Sequence, residues 1–497
     1  MTLPSGTRWT WLRTGRDAFA AMLDAIEAAR HSVCLEMYIF APGPLGERFR
    51  DALVRAARRG ATVRVLVDAI GSLHLPDTFW TPLREAGGEA RVFNPISLKR
   101  LGIRNHRKLL VCDQSVAFIG GFNIAPEYDG DGVSLGWRDV GMRLDGPLAA
   151  ELAASFEDMF KLADFRHKAF PRLRRAALPR PTGVRGEEIL LGQPGLGRNP
   201  LRRALRADLR RARQARFMVA YFLPPPRLLR LFRRASRRGA NVELILPAHS
   251  DVPLSQMAAR SQYRRLLKSG VAIYEYQPQV LHAKLFIVDD AVYVGSANLD
   301  PRSLSVNYEL TVRFEHPQMA AEARDIFAET LGHCRQVEAQ TWQRSRSLWT
   351  RLQQRLALWL LARLDPGWLT SNGAPCRIEM PAAPRDDSAR AEAQTAVRLW
   401  MKNGKVAGAE SGLRARVTSA RARGSWRDSG KPARIPTVHR GDGKAPTTAH
   451  RADTASTAVA PATGSCPSRR NGCGSNNERS RPGSTAVRDE TRQCRFP

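Results

Sequence analysis

The sequence predicts an α/β protein of two similar domains, each a mixed β-sheet flanked by helices and related by a pseudo-twofold axis, followed by a disordered basic tail. Three observations carry this. A short pattern, His-x-Lys-x4-Asp, occurs twice, at His106, Lys108, Asp113 and at His282, Lys284, Asp289. The residues upstream of each copy repeat as well. Beyond about residue 375 apolar periodicity vanishes and Ala, Thr, Ser, Gly, Pro and Arg dominate, a composition that cannot build a packed core.

The repeated text supplies the elements. Arg58-Arg59-Gly60-Ala61-Thr62-Val63-Arg64-Val65-Leu66-Val67 answers Arg237-Arg238-Gly239-Ala240-Asn241-Val242-Glu243-Leu244-Ile245-Leu246. Helical-period stretches precede these runs (Glu47 to Arg58, Arg227 to Ser236), and strands bearing a tyrosine precede the helices (Tyr38 within 34–40, Tyr221 within 217–223). Lys108 to Cys112 and Lys284 to Val288 read as buried strands. Asp113-Gln114-Ser115 and Asp289-Asp290 read as turns into a second strand, and the second turn is one residue shorter. Alternation of strand and helix implies a sheet with helices on its faces, and self-similarity at this period implies duplication with a site on the shared axis. The expected boundaries are 9–165 and 188–335 for the domains and 166–187 for the connection, which is Pro- and Arg-rich from Phe170 to Gly186. An amphipathic basic helix follows at 340–365, and the tail at 375–497.

Each motif copy runs into a turn ending in asparagine, Gly120-Gly121-Phe122-Asn123 and Gly295-Ser296-Ala297-Asn298. On a strand, residues i and i+2 share a face, so each His points the same way as its Lys. A lysine among apolar strand residues is costly unless it meets an anion. Two imidazoles, two ammonium groups and two carboxamides are what phosphodiester chemistry without a metal requires. No cofactor is expected. The remaining histidines form no short-spaced ligand set with Cys or carboxylates, and Cys466 and Cys473 lack a second pair, so no metal is expected either.

The chain carries 78 Lys and Arg against 47 Asp and Glu, a net charge of +31. From residue 367 onward 23 basic residues face 11 acidic ones, which leaves +19 for the body. This field suits an anionic partner, acidic phospholipid or nucleic acid. Neither a secretory signal nor a stretch of membrane-spanning length is apparent. Trp349, Leu352, Leu356, Trp359, Leu360 and Leu364 recur at helical spacing among Arg344, Arg346, Arg351, Arg355 and Arg363. Such a helix fits the lipid interface and equally a docked position on the second domain. Cys34 and Cys112 in core strands point to reduced thiols among the seven cysteines.

Over residues 10 to 365 the chain resembles the phospholipase D superfamily, and within it bacterial cardiolipin synthases. The resemblance rests on Asn105-His106-Arg107-Lys108, on Gly120 to Asn123 with Glu127-Tyr128, on Trp137-Arg138-Asp139 and on Leu281-His282-Ala283-Lys284. Its most specific part is Gly295 to Leu304, closing on Asn307-Tyr308-Glu309. It implies a two-step substitution at phosphorus, with His106 as nucleophile forming a phosphohistidine and His282 as general acid and then base. Lys108, Lys284, Asn123, Asn298 and Ser296 would hold the phosphoryl oxygens. Asp139 would orient His106 and Glu309 would orient His282, although Asp139 next to Arg138 also fits a plain ion pair. Asp113 and Asp289 belong to the motif's catalytic set, but their strand-end positions suit braces better than substrate contacts.

The function so implied is a cardiolipin synthase-like transfer of a phosphatidyl group between phosphatidylglycerol molecules, on the cytoplasmic face of a bacterial membrane, peripherally bound. The loop from Asn94 to Arg104, with Lys99 and Arg100, either receives headgroups or is an ordinary solvated loop. A lipid-hydrolysing phospholipase D is the nearest alternative and a nuclease of the same superfamily the next. No specific nucleic-acid partner is expected, and a non-catalytic basic scaffold leaves the two intact His/Lys pairs unexplained. The oligomeric state is not legible.

Overall fold

The computed structural model describes residues 2–95, 102–163, 186–195, 199–344 and 346–364, except the side chains of 343 and 362–364. Lys99, Arg100, most of the expected connection and the expected tail lie outside the described residues. The first half contains β1 (Arg8–Leu12), α1 (Gly15–Ala28), β2 (Ser32–Met37), α2 (Pro44–Arg58), β3 (Thr62–Asp68), α3 (Thr81–Glu85), β4 (Glu89–Phe93), β5 (Leu109–Cys112), β6 (Val116–Gly120), β7 (Gly141–Asp145) and α4 (Leu148–Leu162). The second contains β8 (Glu187–Gly192), α5 (Pro200–Leu209), β9 (Gln214–Val219), α6 (Pro226–Arg237), β10 (Asn241–Pro247), α7 (Pro253–Leu267), β11 (Ala272–Tyr276), β12 (Lys284–Val288), β13 (Ala291–Gly295), α8 (Pro301–Ser305), β14 (Glu309–Glu315), α9 (Pro317–Leu331) and β15 (Cys334–Gln336). Two helices close the described chain, α10 (Ala339–Arg344) and α11 (Leu348–Leu364).

Both sheets are mixed and share one plan. The first has the order β1-β7-β6-β5-β2-β3-β4, and the second β15-β11-β10-β9-β12-β13-β14-β8. The strands before each motif are parallel (β2 to β3, β9 to β10), whereas the motif strands β5 and β12 join antiparallel to β2 and β9. The repeated Arg-Arg-Gly ends α2 and α6 alike. Gly60 and Gly239 take φ of 94° and 93°, a left-handed exit that glycine adopts without steric cost.

Strand alternation sorts the core into layers. Leu110 and Cys112 of β5 face the helices α1 and α2, and Phe286 and Val288 of β12 face α5, α6 and α7. Their neighbours Leu109, Val111, Leu285 and Ile287 face inward, into one core shared by both sheets with α4 and α9. Fully burying each such side chain contributes roughly 1.5–3 kcal/mol, so the two halves are joined by a continuous apolar interior.

The motif aspartates build hairpins. Asp113 and Gln114 have φ of 50° and 52°, and Asp289 has 52°. The Asp113 carboxylate accepts N–H groups from Arg30, His31 and Ser32 at 2.7–2.9 Å, tying the hairpin to the start of β2. Asp289 accepts those of Arg213 and Gln214 at 3.1 and 2.9 Å. Their grouping with the catalytic set is therefore corrected: both carboxylates are spent on backbone at the hairpin turns. Asp113→Ala is expected to cost about 1–3 kcal/mol of stability, the penalty for unpaired backbone donors, with turnover per folded molecule unchanged. Denaturant unfolding beside an activity assay checks this, and a dead but fully stable variant would contradict it.

The amphipathic helix is docked, and only on one side. Ala357 packs with Ala258 of α7 and Leu223, flanked by Leu358 and Leu361. Leu348, Trp349, Leu352 and Leu356 stay exposed. Among the described residues no helix is long and apolar enough to cross a membrane.

Candidate active site

The residues just before β5 and β12 do not stay within their own half. The backbone N–H of His106 donates to Tyr308 O at 2.9 Å, and that of Tyr308 to Arg104 O at 2.9 Å. Symmetrically, His282 N–H donates to Arg138 O at 2.8 Å, and Arg138 N–H to Val280 O at 2.9 Å. Each bridge sets the histidine of one half beside the acid-bearing segment of the other.

The carboxylates therefore pair crosswise. Glu309 lies 3.0 Å from Nδ1 of His106 through both oxygens, and Asp139 Oδ2 lies 2.6 Å from Nδ1 of His282. This corrects the assignment of Asp139 to His106 and of Glu309 to His282, which the family resemblance implied. The physical reason is the backbone bridging, which makes the partner half's acid the near neighbour. Arg138 does not pair with Asp139: its guanidinium reaches Arg13 O, Thr330 and Glu329.

The orienting acids are themselves held. Ser296 Oγ donates to Glu309 Oε2 at 2.5 Å and accepts the N–H of Leu310 at 3.0 Å. Ser296 thus acts on the carboxylate, a correction to its expected place among the phosphate ligands. At the corresponding position Gly121 leaves room for Asp139, since a Cβ there would fall 2.2 Å from Oδ1. Asn123 Oδ1 accepts the N–H of Ile39 at 3.0 Å, and its Nδ2 donates to Tyr128 OH at 2.7 Å. Asn298 Oδ1 accepts from Tyr221 N–H at 3.4 Å.

His106, Lys108, His282 and Lys284 are all buried. Lys108 Nζ donates to His106 O at 2.7 Å, with its charge 5.1 Å from the Tyr38 ring centroid. Lys284 Nζ lies 2.7 and 3.0 Å from the two ring nitrogens of His282. Burial, then repulsion from Lys284, lowers the Lys108 pKa to about 7. Burial lowers that of Lys284 to about 8 against the pull of Asp139 and Glu309. Two crowded, poorly solvated cations are what an incoming phosphoester anion would relieve.

The two imidazoles are not equivalent. Burial lowers His106 to about 4 despite Glu309, and pushes His282 well below the ordinary histidine range, with Lys284 and Lys108 adding to it. Burial raises Asp139 to about 7, whereas for Glu309 it is outweighed by His106, Lys108 and Ser296, leaving that carboxyl below its usual range. Nε2 of His282 faces Tyr128 OH at 3.3 Å. Among the described residues Nε2 of His106 has no hydrogen-bond partner. A ring whose Nδ1 donates to an ionised Glu309 exposes its Nε2 lone pair, the arrangement of a nucleophile or base.

Behind His106 lies a buried charged network. Arg104 faces Asp68 at 3.4 Å, Arg107 faces Glu36 at 3.1 Å, and Asn105 donates to Glu36 at 2.7 Å and, through its backbone, to Asp68 at 2.9 Å. At the matching places the second half has Val280, Ala283, Leu281, Met218 and Pro247. Arg104 is thus turned inward and takes no part in a solvent-facing headgroup loop.

Tyr38, Tyr221 and Tyr128 carry no site role in the sequence pattern, yet all three line the site. The Tyr38 ring lies 4.8 Å from His106, and Tyr221 and Tyr128 lie 6.4 and 5.1 Å from His282. Trp137 sits at 5.6 Å. A tyrosine at the exit of the corresponding strand in each half was the available signal, although the two stand one residue apart in register. Tyr221 occupies the place of Ile39, each backbone N–H donating to its turn asparagine.

Paired His/Lys sets brought together from two like domains define the phospholipase D class of phosphodiester-transfer enzymes. A family model described as cardiolipin synthase, PLD-like domain, matches residues 22–159 and 205–331. A cardiolipin synthase 1 of Bacillus anthracis is 32% identical over 346 residues, spanning 67% of this chain and 68% of that protein. Cardiolipin synthase B of Salmonella typhimurium is 30% identical over 391 residues, 76% of this chain and 94% of that one. Among solved structures, a phosphatidylserine synthase of Haemophilus influenzae shares the fold, with a TM-score of 0.58 at 17% identity, over 73% of this chain and 94% of that one. The chain belongs to the cardiolipin synthase family of the phospholipase D superfamily, and so stands among its phospholipid phosphatidyltransferases.

Proposed function

We propose that this enzyme joins two phosphatidylglycerol molecules into cardiolipin through a phosphohistidine on His106. Nε2 of His106 attacks the phosphorus of the first lipid. The bond to its glycerol headgroup breaks, and the departing oxygen takes a proton from His282. Burial, with the Lys284 and Lys108 charges, otherwise holds the pKa of that ring down, and it is protonated once the bound phosphodiester anion offsets those charges. The headgroup hydroxyl of a second lipid then gives its proton to His282 while its oxygen displaces His106 from phosphorus. Lys108 and Lys284, with Asn123 and Asn298, hold the nonbridging oxygens and stabilise the added charge of the transition state. The observation carrying this reading is the crossed pair of acid-held imidazoles with two buried ammonium groups beside them. The unengaged Nε2 of His106, against the Tyr128-contacted Nε2 of His282, supports the division of labour. The exposed ridge on α11 and the net positive body support peripheral attachment to an anionic membrane, and the free thiols of Cys34 and Cys112 agree with its cytoplasmic face.

The test is purified protein incubated with vesicles containing labelled phosphatidylglycerol, followed by lipid separation. Cardiolipin supports the transferase. Phosphatidic acid alone replaces it with a hydrolase, and inert lipid beside cleaved DNA with a nuclease. The kcat/KM profile should fall as pH rises through about 7 to 8, where Lys108 and Lys284 lose their protons. A profile flat to pH 10 would remove the two ammonium groups from the mechanism.

A further inference from the structure

The helix α11 has two unlike sides. Its inner side packs on α7, as described above. Leu348, Trp349, Leu352 and Leu356 are 81%, 55%, 44% and 45% exposed, and their spacing puts them on one face. Large apolar side chains kept in water along one helix mark an interaction surface.

Beside this ridge, between α11 and α7, is a cavity of about 110 Å³ lined by Ser261, Arg264, Arg346, Arg351, Gln354 and Arg355. The described lining carries four guanidinium groups, those of Arg264, Arg346, Arg351 and Arg355. Arg346 is fixed there: it donates to Trp342 O at 3.1 Å and to Gln354 Oε1 at 2.8 Å, and its guanidinium lies 4.7 Å from the Trp342 ring centroid. Burial, then the charges of Arg351 and Arg264, lowers its pKa. Like charges gathered around one cavity are stabilised by an anion that hydrogen-bonds to several of them, and guanidinium forks match phosphate oxygens.

We infer that this cavity is a second phospholipid site, separate from the catalytic pair, which takes the phosphate of an anionic headgroup while the α11 ridge enters the acyl boundary. It rests on the phospholipid reading given above. The occupant is a bilayer lipid because Arg351 and Arg355 alternate along α11 with Trp349, Leu352 and Leu356. A phosphate at the arginines therefore brings its acyl chains to the ridge, whereas a soluble phosphate leaves the ridge in water. A basic amphipathic helix with tryptophan has this interfacial chemistry.

The experiment is cosedimentation of the full chain with phosphatidylcholine vesicles, with and without phosphatidylglycerol. Arg264→Gln with Arg346→Gln should weaken binding to phosphatidylglycerol vesicles by about 25-fold, about five-fold for each charge near an anionic surface. It should also erase the preference over pure phosphatidylcholine. Trp349→Ser with Leu352→Ser and Leu356→Ser should weaken binding to both vesicles. Should the first variant fail to fold, the exposed pair Arg351→Gln and Arg355→Gln serves in its place. An undiminished phosphatidylglycerol preference in the arginine variants overturns the site. So does protection of the cavity by soluble glycerol phosphate when vesicles do not bind. Turnover of detergent-dispersed phosphatidylglycerol should persist in these variants. Its absence in every form, wild type included, would fail the catalytic reading while the vesicle comparison still decides the second site.

Discussion

With a phosphatidyl ester of p-nitrophenol, the His282→Ala enzyme should release a stoichiometric burst of nitrophenolate and then stall, while His106→Ala should release none. Nitrophenolate leaves without protonation, so the first step no longer needs a general acid and only the nucleophile is indispensable. The stall follows because the second step still needs His282 to take a proton from the incoming hydroxyl. With phosphatidylglycerol itself, where the leaving alkoxide is strongly basic, His282→Ala should lose roughly 10² to 10⁴-fold in turnover, and His106→Ala all measurable activity. A burst from His106→Ala with none from His282→Ala would exchange the two roles.

The crossed pairing makes the second large prediction. Glu309→Gln should disturb His106, although the two are 203 positions apart, and Asp139→Asn should disturb His282. An amide in place of an orienting carboxylate keeps the shape but disfavours the working tautomer, and roughly 10⁴-fold is the loss known for such an exchange in a serine protease triad. Rate alone cannot assign partners, so the readout is nitrogen NMR of labelled histidine. The His106 ring signals should move in Glu309→Gln and stay in Asp139→Asn, with the converse for His282. Movement of His106 on changing Asp139 alone would restore the pairing within each half.

That pairing also marks where the sequence stops being legible. The motif strands, their turns and the helices ahead of them were readable because apolar alternation and helical period are local properties. Even the one-residue difference between the hairpins reappears, as Asp113 to Ser115 against Asp289-Asp290. Tyr38 and Tyr221 were placed inside strands, but β2 ends at Met37 and β9 at Val219, so both rings are carried on the exits beyond. Edge strand β4, Glu-Ala-Arg-Val-Phe, is largely solvent-facing and lacks a pattern to announce it. Partner choice across the interface is a tertiary property. Nothing near His106 in the chain indicates that Tyr308 bonds its backbone. The strand-end positions of Asp113 and Asp289 already suggested braces, and only their grouping with the catalytic set falls, as does the phosphate role of Ser296. Both have one cause: a motif conveys which residues gather, and hydrogen bonding decides which of them remain available to a ligand.

The backbone bridges at Tyr308 and Arg138 make each half hold the other's motif histidine in position. Mechanically, the seam is the alignment device, and slippage of a fraction of an ångström along it misaims both imidazoles together. Heat inactivation should accordingly run ahead of the loss of helical signal, with activity serving as a gauge of whether the seam is closed. Separately made halves should be inert, each lacking the acid that tunes its own histidine.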